Sequence, residues 1–126
     1  MQEKTIAEKR ANTCDEIDIA KMQIEITQEQ LKQNLEYINK ILSQIKKAKK
    51  AKSCFNYIKS NWYTDIPIED QLKNVKSYLR TYSNYYEIAV LKRKILKAQL
   101  KQAQRKFSKK LKSIVRFDKK YFNTNQ

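Results

Sequence analysis

The chain has no glycine at any of its 126 positions. Ordinary usage would supply about nine, and primed hairpin turns, phosphate-cradling loops and left-handed helix caps all lean on that residue. A Rossmann unit, a P-loop and a hairpin-rich β fold are therefore disfavoured. Proline, the other strong interrupter of helices, occurs once, at Pro67. What remains compatible is a single domain of a few long, uninterrupted helices.

Pro67 closes the stretch Ser60-Asn61-Trp62-Tyr63-Thr64-Asp65-Ile66-Pro67. Proline suits the first turn of a helix, the residue before it is pushed toward an extended conformation, and Asp65, Glu69 and Asp70 place negative charge at a helix N-terminus. This reads as a turn between two helices. Upstream, Thr13-Cys14-Asp15-Glu16 has the form of a capping box. The expected layout is an N-terminal extension at 1–12, helical or mobile, and one helical domain at 13–122. Within that domain helix 1 runs over about 14–60, the turn over 61–66 and helix 2 over about 67–120, leaving a tail at 123–126.

Hydrophobic spacing supports two amphipathic helices. A heptad seam on helix 1 runs through Cys14, Ile17, Lys21, Ile24, Gln28, Leu31, Leu35, Ile38, Leu42 and Ile45. On helix 2 it runs through Leu72, Val75, Leu79, Tyr82, Tyr86, Ala89, Arg93, Leu96, Leu100, Ala103, Phe107, Lys110, Ile114 and Phe117. Alternating steps of three and four are what a coiled-coil face demands. The fold class is all-α: a long antiparallel helical hairpin in which residue i faces approximately residue 127 − i. The rival is a three-helix bundle, with a break near Arg80 to Glu87 and a cap at Ser83 or Asn84.

Charge agrees with the hairpin. Residues 1–36 are net −3 and residues 88–126 are net +12, so folding back lays an acidic arm along a basic one. The whole chain is net +15. Apolar residues outside the seams, Ile19, Met22 and Ile26 on helix 1 and Ile88, Leu91 and Ile95 on helix 2, are a candidate partner interface, joined by Trp62 and Tyr63 at the turn. They suggest dimerisation to a four-helix bundle or docking in a larger assembly. The alternative is intramolecular cover by a bend or a third segment.

Little in the sequence suggests catalysis. There is no histidine, the commonest general base and metal ligand, and the two cysteines form no Cys-x-x-Cys pair. Cys14 and Cys54 are expected to be unpaired thiols in a reducing compartment. Asp65, Glu69 and Asp70 suit the helix dipole better than a calcium loop, which needs glycine. No enzyme activity, catalytic residue, cofactor, metal or small-molecule substrate is expected. The longest apolar run is Ile88-Ala89-Val90-Leu91, and the N-terminus has no apolar signal region. A soluble, intracellular protein is expected, with an organelle left open.

The basic residues are the informative ones. Lys94, Lys97, Lys101, Arg105, Lys109, Lys112, Arg116 and Lys119 fall on one face of helix 2, away from its seam, and no acid occurs between Glu87 and Asp118. A solvated helix face ordinarily mixes acids with bases to gain i,i+4 pairs. A second cluster is Lys46, Lys47, Lys49, Lys50 and Lys52. Aromatics gather near the turn at Phe55, Tyr57, Trp62, Tyr63, Tyr78, Tyr82, Tyr85 and Tyr86, either as stacking surface or as packing of the hairpin end. The expectation is a non-enzymatic accessory protein binding the phosphate backbone of DNA or RNA without reading sequence. The alternative is an adaptor subunit acting through coiled-coil contacts or an acidic protein surface. Membrane-surface attachment is a weaker option, because the seam consumes the face opposite the lysines.

Overall fold

The computed structural model describes residues 5–61 and 68–121. It contains two α-helices, α1 (Ile6–Asn61) and α2 (Ile68–Tyr121), packed as a hairpin, with no strand among the described residues. The helix of α2 continues unbroken through Arg80 to Glu87, so the three-helix alternative is overturned. The reason is local: Tyr82 and Tyr86 stay in step with the buried face and pack on the core there.

α1 begins at Ile6, not near residue 14. The capping box that starts it is Thr5 to Glu8: the Glu8 amide donates to Thr5 Oγ1 at 3.1 Å and the Thr5 amide donates to Glu8 Oε2 at 3.4 Å. Thr13, which has the same Thr-x-x-Glu spacing, lies inside the helix and donates its hydroxyl to the Lys9 carbonyl at 3.1 Å. Two copies of one motif compete, and the upstream one is used. At the head of α2, Glu69 and Asp70 occupy the first turn, where the macrodipole favours them. Glu69 pairs with Lys59 at 3.2 Å in an exposed contact.

The hairpin resolves into a terminal unit, Met1–Leu31 with Ile95–Gln126, and a central unit, Lys32–Lys94. In the central unit Ile38, Ile41 and Ala89 form the buried cluster, with Ile45, Tyr82, Tyr86 and Val90 packed against it. Asn34, also buried, donates from Nδ2 to the Ala89 carbonyl. In the terminal unit Ala20, Thr27, Leu96, Ala103 and Ile114 are buried. There Arg10 grips Asp118 with two hydrogen bonds, Nε to Oδ1 at 2.8 Å and Nη2 to Oδ2 at 3.2 Å, and Lys110 pairs with Glu16. These pairs satisfy the 127 − i register to within one residue.

All fourteen seam positions expected on α2 are buried or half-buried. On α1 four of the ten expected seam positions are displaced by one residue. Cys14, Ile17, Ile24, Leu31, Ile38 and Ile45 are buried or half-buried, with Thr13 half-buried beside Cys14, but the other inward positions are Ala20, Thr27, Asn34 and Ile41 in place of Lys21, Gln28, Leu35 and Leu42. Leu35 and Leu42 are more than two-fifths exposed. The inward set contains two buried polar residues and a small alanine, so apolar content alone points to the wrong neighbour.

Candidate anion-binding face

α2 carries a long run of cations because its inward positions are fully used by the seam, leaving the bases on the outside. In the terminal unit Lys97, Lys101, Arg105, Lys109, Lys112, Arg116 and Lys119 are all exposed. None of them has an ion-pair partner among the described residues. The one acid of this arm, Asp118, is occupied by Arg10, whose guanidinium holds the carboxyl below its ordinary value through hydrogen bonding. The same contact raises Arg10. The acidic arm therefore neutralises the basic arm less than the charge totals suggest: Glu16 reaches Lys110, which is a seam residue and lies off the cationic face.

A groove of about 560 Å³ opens beside this face in the terminal unit. Its floor is Thr27 and Ala103, and Gln23, Gln99 and Gln102 line it with Arg105, Lys106 and Lys109. Small side chains at two inward positions leave the depression, and long polar ones at its edge make it hydrophilic. Thr27 satisfies its own hydroxyl on the Gln23 backbone carbonyl at 2.7 Å. Carboxamides supply donors and acceptors, while Arg105, Lys106 and Lys109 supply donors and charge. Sequence reading identified Arg105 and Lys109 but missed Lys106 and the three glutamines. The signal for them was the pairing of polar residues beside the seam with a threonine and an alanine within it.

The second basic cluster belongs to the central unit. Lys46, Lys47, Lys49 and Lys50 are exposed there, whereas Lys52 is half-buried along the inward face. Lys47 lines a shallow depression of about 370 Å³ with Gln44, Ala48, Asn74, Val75 and Tyr78. Tyr78 donates to Gln44 Oε1 at 3.1 Å and stacks on Tyr82 with ring centroids 4.3 Å apart. Tyr85 meets Tyr82 edge-on at 5.6 Å. Tyr82 and Tyr86 pack on the core, Phe55 is half-buried, and Tyr57 is exposed. Lys94, expected to open the stripe, is exposed and is the last residue of the central unit.

The six apolar residues proposed as an interface are all more than half exposed. Ile19, Met22, Ile26 and Ile95 belong to the terminal unit, and Ile88 and Leu91 to the central unit. Trp62, Tyr63 and Asp65 lie outside the described residues. Cys14 and Cys54 are free thiols, and Cys14 accepts a 3.7 Å contact from Arg10 Nη1. No described helix is long and apolar enough to cross a membrane. No protein-family model, curated protein or solved structure matches the chain.

Proposed function

We propose that this protein is a non-enzymatic helical accessory protein that binds nucleic-acid backbone, with the outer face of α2 in the terminal unit as its contact surface. The observation that carries this reading is the row of exposed bases Lys97, Lys101, Arg105, Lys109, Lys112, Arg116 and Lys119, none of them in an ion pair among the described residues. Like charges held along one rigid helix repel each other, and a polyanion offsets that repulsion. Phosphate contacts of this kind position a protein on nucleic acid without specifying sequence. The groove adds Lys106 and three carboxamides to the edge of the same surface, suited to phosphate and sugar oxygens. Lys46, Lys47, Lys49 and Lys50 give the central unit a smaller anion-attracting surface of its own.

The test is binding of random-sequence DNA and RNA to the nuclease-treated protein at low and high salt. Affinity is expected to fall steeply with salt, because each neutralised phosphate releases counterions. No detectable binding at about 50 mM salt overturns the reading. The exposed Ile19, Met22 and Ile26 favour a second reading, a structural or adaptor subunit held by coiled-coil protein contacts. Two measurements separate them: loss of nucleic-acid binding on replacing Lys101, Arg105 and Lys112 by Glu supports the first, and a co-complex with another protein that survives nuclease and moderate salt supports the second.

A further inference from the structure

The terminal unit is electrically two-sided. Along the outside of α1, Asp15, Asp18, Glu25 and Glu29 are exposed, without ion-pair partners among the described residues, and interleaved with the exposed Ile19, Met22 and Ile26. No base shares that outer strip. Lys9 and Lys21 flank the seam, and Arg10 is half-buried against Asp118. The outside of α2 carries Lys101, Arg105, Lys109, Lys112 and Arg116 with no acid among them. The two strips lie on opposite sides of the helix pair, since each is turned away from its own buried seam.

They also match along the axis. The register fixed by Arg10 with Asp118 and by Glu16 with Lys110 puts Asp15 level with Lys112 and Asp18 level with Lys109. The same register leaves Glu25 within one residue of Lys101, and a residue is about 1.5 Å of rise. A copy placed beside the first, without sliding along the axis, brings these opposite charges together. Arg105 then lies level with Met22, and the methylene stems of Arg105, Lys101 and Lys109 cover the apolar side chains while their charged heads remain at the acids. The four acids and three apolar residues are thus explained by one occupant.

We infer that the acidic, apolar outer strip of α1 in the terminal unit is a docking surface for the basic outer strip of α2 in a second copy of this chain. Because the two strips differ and face opposite ways, the contact is heterologous, and each copy that docks leaves a fresh strip of each kind exposed. Association therefore propagates beyond a dimer. Under the nucleic-acid reading, a polyanion and a second copy compete for the α2 strip. The inference goes beyond the nucleic-acid reading and does not depend on it.

The test is sedimentation velocity on the full chain after nuclease treatment, in about 50 mM and about 500 mM salt, over a concentration series. Species heavier than the 15.1 kDa chain are expected at low salt, with association weakening at least about tenfold at high salt. Two charge-reversed variants sharpen it: D15K/D18K/E25K/E29K and K101E/R105E/K109E/K112E. Each alone is expected to sediment as a monomer, because its two strips then carry the same sign, and an equimolar mixture is expected to associate again. All eight positions are exposed, and circular dichroism checks that the helices persist. Should a quadruple variant lose its helices, the single pair D15K and K112E is measured the same way. A monomer at every salt concentration overturns the inference, as does undiminished association of either variant alone or a mixture that stays monomeric. A monomer that still binds nucleic acid overturns this inference and leaves the nucleic-acid reading standing.

Discussion

Asn34 reaches across the central unit to donate from Nδ2 to the Ala89 carbonyl at 3.1 Å, while its own buried Oδ1 has no hydrogen-bond partner. One half of the carboxamide is satisfied and the other is not. A buried acceptor without a donor costs about 1–3 kcal/mol, so Asn34 reduces stability while marking one position along the interface. A polar residue at an inward heptad position specifies register and oligomer state in the same way. Asn34→Leu is expected to raise the unfolding free energy by about 1 kcal/mol or more in urea titration, by removing the orphaned acceptor and filling the site. Asn34→Asp, which buries a charge beside a carbonyl oxygen, is expected to lower stability by several kcal/mol, with recovery as the carboxyl is protonated at low pH.

The neighbouring pair Ile41 and Leu42 tests which residues line the helix interface. Ile41 is 2% exposed within the central cluster, and Leu42 is 43% exposed. Ile41→Ala should cost about 2–5 kcal/mol, the range for truncating a buried branched side chain. Leu42→Ala should change stability by well under half that amount, since surface substitutions ordinarily stay within about 0.5 kcal/mol. Equal losses at the two positions in chemical denaturation would show that the interface is rotated toward Leu42.

The same two residues show what was legible in the sequence. Glycine's absence, the lone proline and the α2 heptads were enough for two long helices folded back on each other, because the α2 seam follows an unbroken three-four spacing of mostly large residues. On α1 the isoleucines at 17, 24, 38 and 45 and Leu31 were readable for the same reason. Their companions were not, because Thr27 and Asn34 are polar and Ala20 is small, while Leu35 and Leu42 sit one residue away with more apolar surface to offer. Packing of two helices at close range rewards small or specifically bonded side chains that hydrophobicity undervalues. The α1 start was missed for a different reason: Thr5 and Thr13 present the same capping pattern, and only the longer helix uses the first. In the candidate site the cations were legible as an acid-free run, whereas the groove with Gln23, Gln99, Gln102 and Lys106 required knowing that Thr27 and Ala103 leave space between the helices.

The Arg10–Asp118 pair gives a pH dependence with a defined sign. Hydrogen bonding to the guanidinium lowers the Asp118 carboxyl below its unfolded value. Its contribution is therefore present above the ordinary aspartate range, near pH 4, and is lost as pH falls through the depressed folded value. Both side chains are about two-fifths exposed, so the effect is small and screened by salt. Asp118→Asn should flatten the acid limb of the thermal-stability profile relative to the parent chain and leave the profile above pH 6 nearly parallel to it. Arg10→Met should do the same. If both variants retain the parent's acid limb, its cause lies at other carboxylates.

The groove and the exposed stripe predict different signatures in nucleic-acid binding. Lys112 and Arg116 stand on the open face, so their contacts are those of point charges with phosphate, and replacing either by Ala should reduce the slope of log affinity against log salt by about 0.7–0.9. Gln99 and Gln102 line the groove and carry no charge. Their replacement by Ala should weaken binding at every salt concentration alike, leaving the slope unchanged, because no counterion is released on forming a carboxamide contact. Arg105 and Lys109 belong to both surfaces, and their removal should lower the slope and the intercept together. Filter binding or fluorescence anisotropy over a salt series resolves the two parameters. A slope that falls on Gln99→Ala, or one untouched by Lys112→Ala, would place the polyanion elsewhere on the protein.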